Sequence, residues 1–125
     1  RGAWKIKRDA VPQELHPGTL SVISVRMNYL PSGAAMASTL RNPMLGYISR
    51  YALGRDYHKV LRQRLKQLGE KIDGLVGDCG FRPFVDSAPL LERPLAANAG
   101  LGWVGKHSLV LNAKAGSFFF LGELK

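Results

Sequence analysis

Residues 56–72, DYHKVLRQRLKQLGEKI, carry two interleaved periodicities. Tyr57, Leu61, Leu65, Leu68 and Ile72 recur at the spacing of one helical face, which predicts an amphipathic helix from about Asp56 to Ile72. Arg55, Lys59, Arg62 and Lys66 recur at the same spacing, two residues out of phase. An offset of two residues is about 200° around a helix, so the basic stripe lies opposite the apolar one. Gly54 and Asp56, a candidate N-cap, suit the start, and Gly69 or Gly74 suits the end.

Upstream, LSVISVRM (20–27) is β-branched and reads as a short buried strand, closed by Pro31, Ser32 and Gly33. Residues 31–46 read as a loop punctuated by Asn42–Pro43, and residues 1–19 as a basic, irregular lead-in. Downstream, Phe84 and Val85 read as a strand stopping at Asp86. Pro89–Ala99 reads as a second helix with proline at or near its first turn. SLVLN (108–112) and SFFFLGEL (117–124) read as two strands of a hairpin around a turn at Lys114–Gly116. The sum is an α+β domain with an antiparallel-rich sheet flanked by helices.

The 125 residues hold 18 Lys and Arg against 9 Asp and Glu, a net charge of +9, with 46% hydrophobic and 22% charged residues. That is the composition of one globular domain, not of a disordered basic tail. The single cysteine, Cys79, excludes an internal disulfide scaffold and points to a reducing compartment. No apolar run approaches the roughly 20 residues of a membrane span, since Arg26 and Asn28 cut the stretch from Leu20 to Leu30. The chain begins with Arg1 and reads as a piece of a larger cytoplasmic protein. Its positive excess suits a polyanionic partner.

Gly100, Gly102 and Gly105 spell G-x-G-x-x-G, but the predicted helix precedes the glycines and a strand follows, the reverse of a dinucleotide site. They form either a plain corner or a place where a flat ligand approaches the backbone. His16, His58 and His107 are scattered, and one cysteine cannot hold an iron–sulfur cluster. In GRDYH (54–58), Asp56 either caps the helix or shares in a site at its N-terminus. Asp86, in FVDSAP, either caps the following helix or is a carboxyl that apolar neighbours keep protonated, as a general acid requires. The basic stripe is either a solvated face or a track for phosphates.

Four segments, SVISVRMNYLP (21–31), YALGRDYHKVLRQRL (51–65), RPFVDSAPLLERPLAANAGLGWVGKHSLVLN (82–112) and GSFFFLGEL (116–124), together resemble the epoxyqueuosine reductases. These are cobalamin-dependent iron–sulfur enzymes that complete queuosine biosynthesis in tRNA. The resemblance implies that residues 20–125 are part of a cobalamin-binding domain on a nitroreductase-like scaffold. A ferredoxin-type domain with two 4Fe–4S clusters and a helical-repeat domain would lie outside this chain.

It further implies that Asp86 is the proton donor and that Tyr51, Asp56, Tyr57 and His58 lie near the corrin ring. Lys106, His107, Ser108 and Val110 would bind the amide groups of cobalamin, largely through backbone. Trp103 is either a wall of that pocket or core. The implied reaction removes the epoxide oxygen of epoxyqueuosine at the tRNA wobble position, leaving the cyclopentene of queuosine. Arg55, Lys59, Arg62 and Lys66 would bind the tRNA around its anticodon. Without the ferredoxin-type domain half of the cobalamin cleft is absent, so the chain alone is expected to be inactive. The competing readings are a non-catalytic basic RNA-binding module and a flavin-binding nitroreductase-like domain.

Overall fold

The computed structural model describes residues 17–30, 35–77, 79–86 and 91–125. Most of the expected lead-in, the loop residues 31–34 and Pro89 lie outside them. Strand β1 (Ile23–Asn28) is followed by the short helix α1 (Met36–Arg41), a 3-10 turn (Arg50–Ala52) and the long helix α2 (Tyr57–Val76). Then come β2 (Pro83–Phe84), α3 (Glu92–Asn98), β3 (Trp103–Val104), β4 (Val110–Leu111) and β5 (Phe119–Leu124).

β5 is the centre of the molecule. It pairs antiparallel with β1 on one side, Ile23 opposite Leu124 through Asn28 opposite Phe119, and with β2 on the other, Phe84 opposite Glu123. Its side chains alternate between two cores, as a strand covered on both faces must. Leu124 joins Leu61, Leu65 and Val85, with Phe120 packed against them, while Phe119 joins Ala96 and Val110, with Leu121 beside them. Helix α2 therefore lies on one face of the sheet, and α3 with the β3–β4 ribbon on the other. The α+β class and the antiparallel sheet between helices hold.

The predicted hairpin does not form. β4 pairs with β3, and the segment between β4 and β5 closes only through the bridge Asn112–Gly116. β5 takes the middle of the sheet because both its faces are apolar, whereas β4 offers only Val110 to the core. Gly102 lets the ribbon close, since a Cβ there would lie 1.9 Å from the Leu111 carbonyl oxygen. The close approach at the glycine corner is thus made by the chain's own backbone. Trp103 is 53% exposed and is not core.

Helix α2 starts where expected, on an Asp56 cap, but passes through Gly69 and Gly74 and ends at Gly77. Gly77 takes φ 81°, and its N–H donates to the Asp73 carbonyl at 2.8 Å. Gly69 is mid-helix because the Phe81 ring fills its missing side chain; a Cβ would lie 2.3 Å from that ring. Within the expected loop 31–46 a six-residue helix forms, with the Ser38 and Thr39 hydroxyls donating to the Ala35 carbonyl. In α3 the first-turn proline is Pro94, at a position whose N–H has no intrahelical acceptor.

Candidate active site

The N-terminus of α2 and the end of β2 meet at the edge of the sheet. Val85 follows β2 into the core and is fully buried, so Asp86 next to it turns outward, in the left-handed region at φ 47°. Aspartate tolerates that region better than most side chains. The expectation that apolar neighbours shield its carboxyl fails. The Asp86 side chain is 42% exposed, and its partners are polar.

Two of those partners come from α2. The Tyr57 hydroxyl donates to Asp86 Oδ2, and His58 Nε2 stands 3.5 Å from the same oxygen. The Tyr57 ring lies flat on Phe120 of β5, at 3.9 Å and 1° between planes, which fixes the aim of its hydroxyl. Burial, then the bond to Asp86, pushes the Tyr57 phenol above its usual range, so it is a standing donor.

Asp56 orients the imidazole. Its Oδ1 accepts from the His58 backbone N–H at 3.0 Å and faces His58 Nδ1 at 2.9 Å. The His58 hydrogen bonds hold the Asp56 carboxyl below the usual range, so it is ionised and only accepts. Nδ1 then carries the hydrogen, and Nε2 is turned towards Asp86.

From the other face of the sheet comes Glu92, in the first turn of α3. Its Oε1 accepts the Asp86 backbone N–H at 2.9 Å, which pins the turn. Burial and then the Asp86 charge raise the Glu92 carboxyl to about 7. Glu123 of β5 is completely buried, with neither carboxyl oxygen bonded among the described residues. Burial, followed by Glu92 and Asp86, raises it to about 8.

Four of the expected residues, Asp56, Tyr57, His58 and Asp86, are therefore one cluster. Tyr51 is exposed on the 3-10 turn leading into it, behind a run of exposed apolar side chains that includes Met44, Leu45, Ile48 and Leu53. Lys106, His107 and Ser108 are exposed on the β3–β4 turn, where Ser108 takes φ 67° and its N–H donates to the Gly105 carbonyl. The Val110 side chain points into the core. Lys59, Arg62 and Lys66 are exposed on the helix face away from Leu61 and Leu65, whereas Arg55 is exposed just before the Asp56 cap and so lies outside the helix; Lys66 is 3.7 Å from Glu70. Glu92 and Glu123 escaped the sequence reading. The signal was a lone acid on the inward beat of SFFFLGEL.

A family model described as "Epoxyqueuosine reductase QueG, DUF1730" matches residues 10–87. The chain belongs to the epoxyqueuosine reductase family. It is 75% identical to the epoxyqueuosine reductase of Salmonella typhimurium, over 98% of this chain and 33% of that protein. With that of Escherichia coli it shares 75% identity over 92% of this chain and 30% of the relative. The chain thus spans about a third of the curated epoxyqueuosine reductases it matches.

Among solved structures, the epoxyqueuosine reductase of Bacillus subtilis, described with its catalytic aspartate loop swung out of the active site, superposes with a TM-score of 0.74. The identity is 25%, covering 98% of this chain and 32% of that one. An epoxyqueuosine reductase solved with an epoxyqueuosine-modified tRNA-Tyr stem loop gives a TM-score of 0.65 at 26% identity, over 90% of this chain and 30% of the other. Among the described residues no helix is long and apolar enough to cross a membrane, and no cluster of three or more metal-ligating side chains occurs.

Proposed function

We propose that this chain is the proton-donating part of an epoxyqueuosine reductase, in which Asp86 protonates the oxygen leaving the epoxide of tRNA-bound epoxyqueuosine. The observation that carries the reading is the Asp86 turn. A carboxyl at positive φ accepts the Tyr57 hydroxyl at one oxygen, faces His58 Nε2 at 3.5 Å and still opens to the surface. Epoxide opening builds negative charge on oxygen, and a fixed acid beside it removes that charge as it forms. Tyr57 and His58 aim the carboxyl, and Asp56 aims His58.

The residues around Asp86 suit cobalamin, and residues 20–125 are the corresponding part of a cobalamin-binding domain with a nitroreductase-like scaffold. A flat macrocycle needs an apolar approach and outward polar groups at its rim. Tyr51 and Leu53 are exposed on the way into the cluster, and the Lys106–Ser108 turn offers backbone groups on the surface. Bound cobalamin would supply the electrons that break the carbon–oxygen bond. Cys79 alone cannot ligate a 4Fe–4S cluster, so such clusters would be held by the ferredoxin-type part of the intact cytoplasmic protein. The stripe Arg55, Lys59, Arg62 and Lys66 would follow the phosphates of the tRNA anticodon arm.

The test is Asp86→Asn in the full-length protein, since asparagine keeps the shape and loses the acidic proton. Folding, cobalamin absorbance and tRNA affinity should persist while queuosine formation falls by roughly 100-fold or more. Near-normal turnover would reduce Asp86 to a turn residue.

A further inference from the structure

Removing an epoxide oxygen as water consumes two electrons and two protons. On the proposed reading Asp86 delivers one proton, and its exposed side is the side that cofactor and tRNA cover. A second proton must reach it from behind. Behind it stand two carboxyls that the proposed reaction leaves unassigned.

Glu92 is fastened to Asp86. Its Oε1 accepts the Asp86 N–H at 2.9 Å, which holds the Glu92 carboxyl beside the Asp86 turn. Glu123 stands opposite Phe84, two residues before Asp86, with its side chain on the α3 face of the sheet. It is fully buried and both its oxygens lack partners among the described residues. A buried carboxylate left in that condition costs several kcal/mol, about what makes a group keep its proton instead. An acid adds nothing to a β-strand that leucine would not add better.

The other ionisable groups do not neutralise the pair as a salt bridge. Lys125, on the same face of the chain, lies 4.2 Å from the Phe84 ring; its Nζ is buried with no hydrogen-bond partner among the described residues, and its charge acts on Glu123 through space. Arg82 stacks on the other reach of Phe84, and Arg93 acts on Glu92 through space. Arg26 of β1 bonds Asn28. Tyr57 and His58 address Asp86 from the opposite face.

We propose that Glu92 and Glu123 form a proton relay behind Asp86, which returns a proton to the Asp86 carboxylate each time it has protonated the leaving oxygen. This rests on the reading of Asp86 as the acid. The Asp86 O–H bond breaks as the new O–H bond forms on the leaving oxygen, and Asp86 becomes a carboxylate. The Glu92 proton then passes to the Asp86 carboxylate beside it. Glu123 holds the next proton in reserve, and Glu92, half-buried at the sheet edge, is reloaded from water. Burial, with the neighbouring acidic charges, holds Glu123 at about 8 and Glu92 at about 7, so at neutral pH Glu123 is mostly protonated and Glu92 exchanges its proton readily.

The test uses the full-length protein with three isosteric variants, Asp86→Asn, Glu92→Gln and Glu123→Gln. Glutamine at 92 can still accept the Asp86 N–H, so the turn is kept and only the proton is removed. Glu92→Gln should lower kcat roughly 10-fold with KM unchanged, and Glu123→Gln should do so to a lesser degree. Both should flatten the fall of kcat between pH 7 and pH 8.5 that the wild-type relay imposes as it empties. The wild-type protein should also show an infrared C=O stretch of protonated carboxyl at pH 7 that fades by about pH 9.

Wild-type kcat and pH profile in both glutamine variants, with Asp86→Asn inactive, would overturn the relay and leave the acid in place. An active Asp86→Asn would overturn both. Absence of the protonated-carboxyl band from the wild type at pH 7 would overturn the relay even if the variants did not fold.

Discussion

Glu123→Gln has a consequence for stability that can be calculated with its sign. The Glu123 carboxyl is raised from 4.5 to about 8 by burial first, then by Glu92 and Asp86. Between those limits the folded protein holds a proton that the unfolded chain has released, so stability falls as pH rises through this window and levels off above about 8. The full difference in proton affinity is on the order of 5 kcal/mol. Glu92, raised to about 7, adds a loss of the same sign that is complete at lower pH.

Glutamine removes the Glu123 share of this dependence. Its amide also buries one more unpaired donor than the protonated acid, at a cost of about 1–3 kcal/mol. The variant should therefore be less stable than wild type at pH 5 and more stable at pH 9, with the curves crossing between. The assay is amide hydrogen exchange of β1 and β5 in the full-length protein, corrected for the intrinsic pH dependence of exchange. Parallel wild-type and variant curves would refute the reasoning. A wild type that gains stability from pH 5 to 8 would do so more directly, because it requires a Glu123 carboxylate with a partner.

Tyr57→Phe keeps the stack on Phe120 and removes the donor to Asp86 Oδ2; stability should drop by about 1 kcal/mol, and kcat of the full-length enzyme should drop roughly 10-fold as the acid loses its aim. Wild-type kcat with that stability loss would leave the hydroxyl a structural role only. Replacing Arg62 and Lys66 by Glu should weaken tRNA binding and flatten its logarithmic salt dependence by up to about one unit for each phosphate no longer neutralised. Lys66, which already faces Glu70 at 3.7 Å, should account for the smaller part, and an unchanged slope would leave the stripe a solvated face.

The helix α2 was legible because its information is local. Spacing alone put Leu61 and Leu65 inward and Lys59, Arg62 and Lys66 outward, and Asp56 marked the first turn, which leaves Arg55 ahead of the helix. The end of that helix was not legible, since Gly69 answers to Phe81, twelve residues on, rather than to helix termination. Strand partners were hidden for the same reason. Composition marks 117–124 as β-structure, but only the need to cover both faces of Phe119–Leu124 places it between β1 and β2 instead of beside β4.

At the site, the sequence by itself raised Asp56 and Asp86 as candidates, and the resemblance added Tyr57 and His58 beside Asp56. Tertiary structure decided what surrounds them. Val85 enters the core past the end of β2, and a turn at Asp86, at φ 47°, opens its carboxyl to water, so the apolar environment read from Phe84 and Val85 belongs to other groups. The carboxyls that burial raises are Glu92 and Glu123, which lie 6 and 37 residues further along the chain from Asp86. Desolvation depends on what packs around a side chain from every direction, and neighbours in sequence supply only a small part of that.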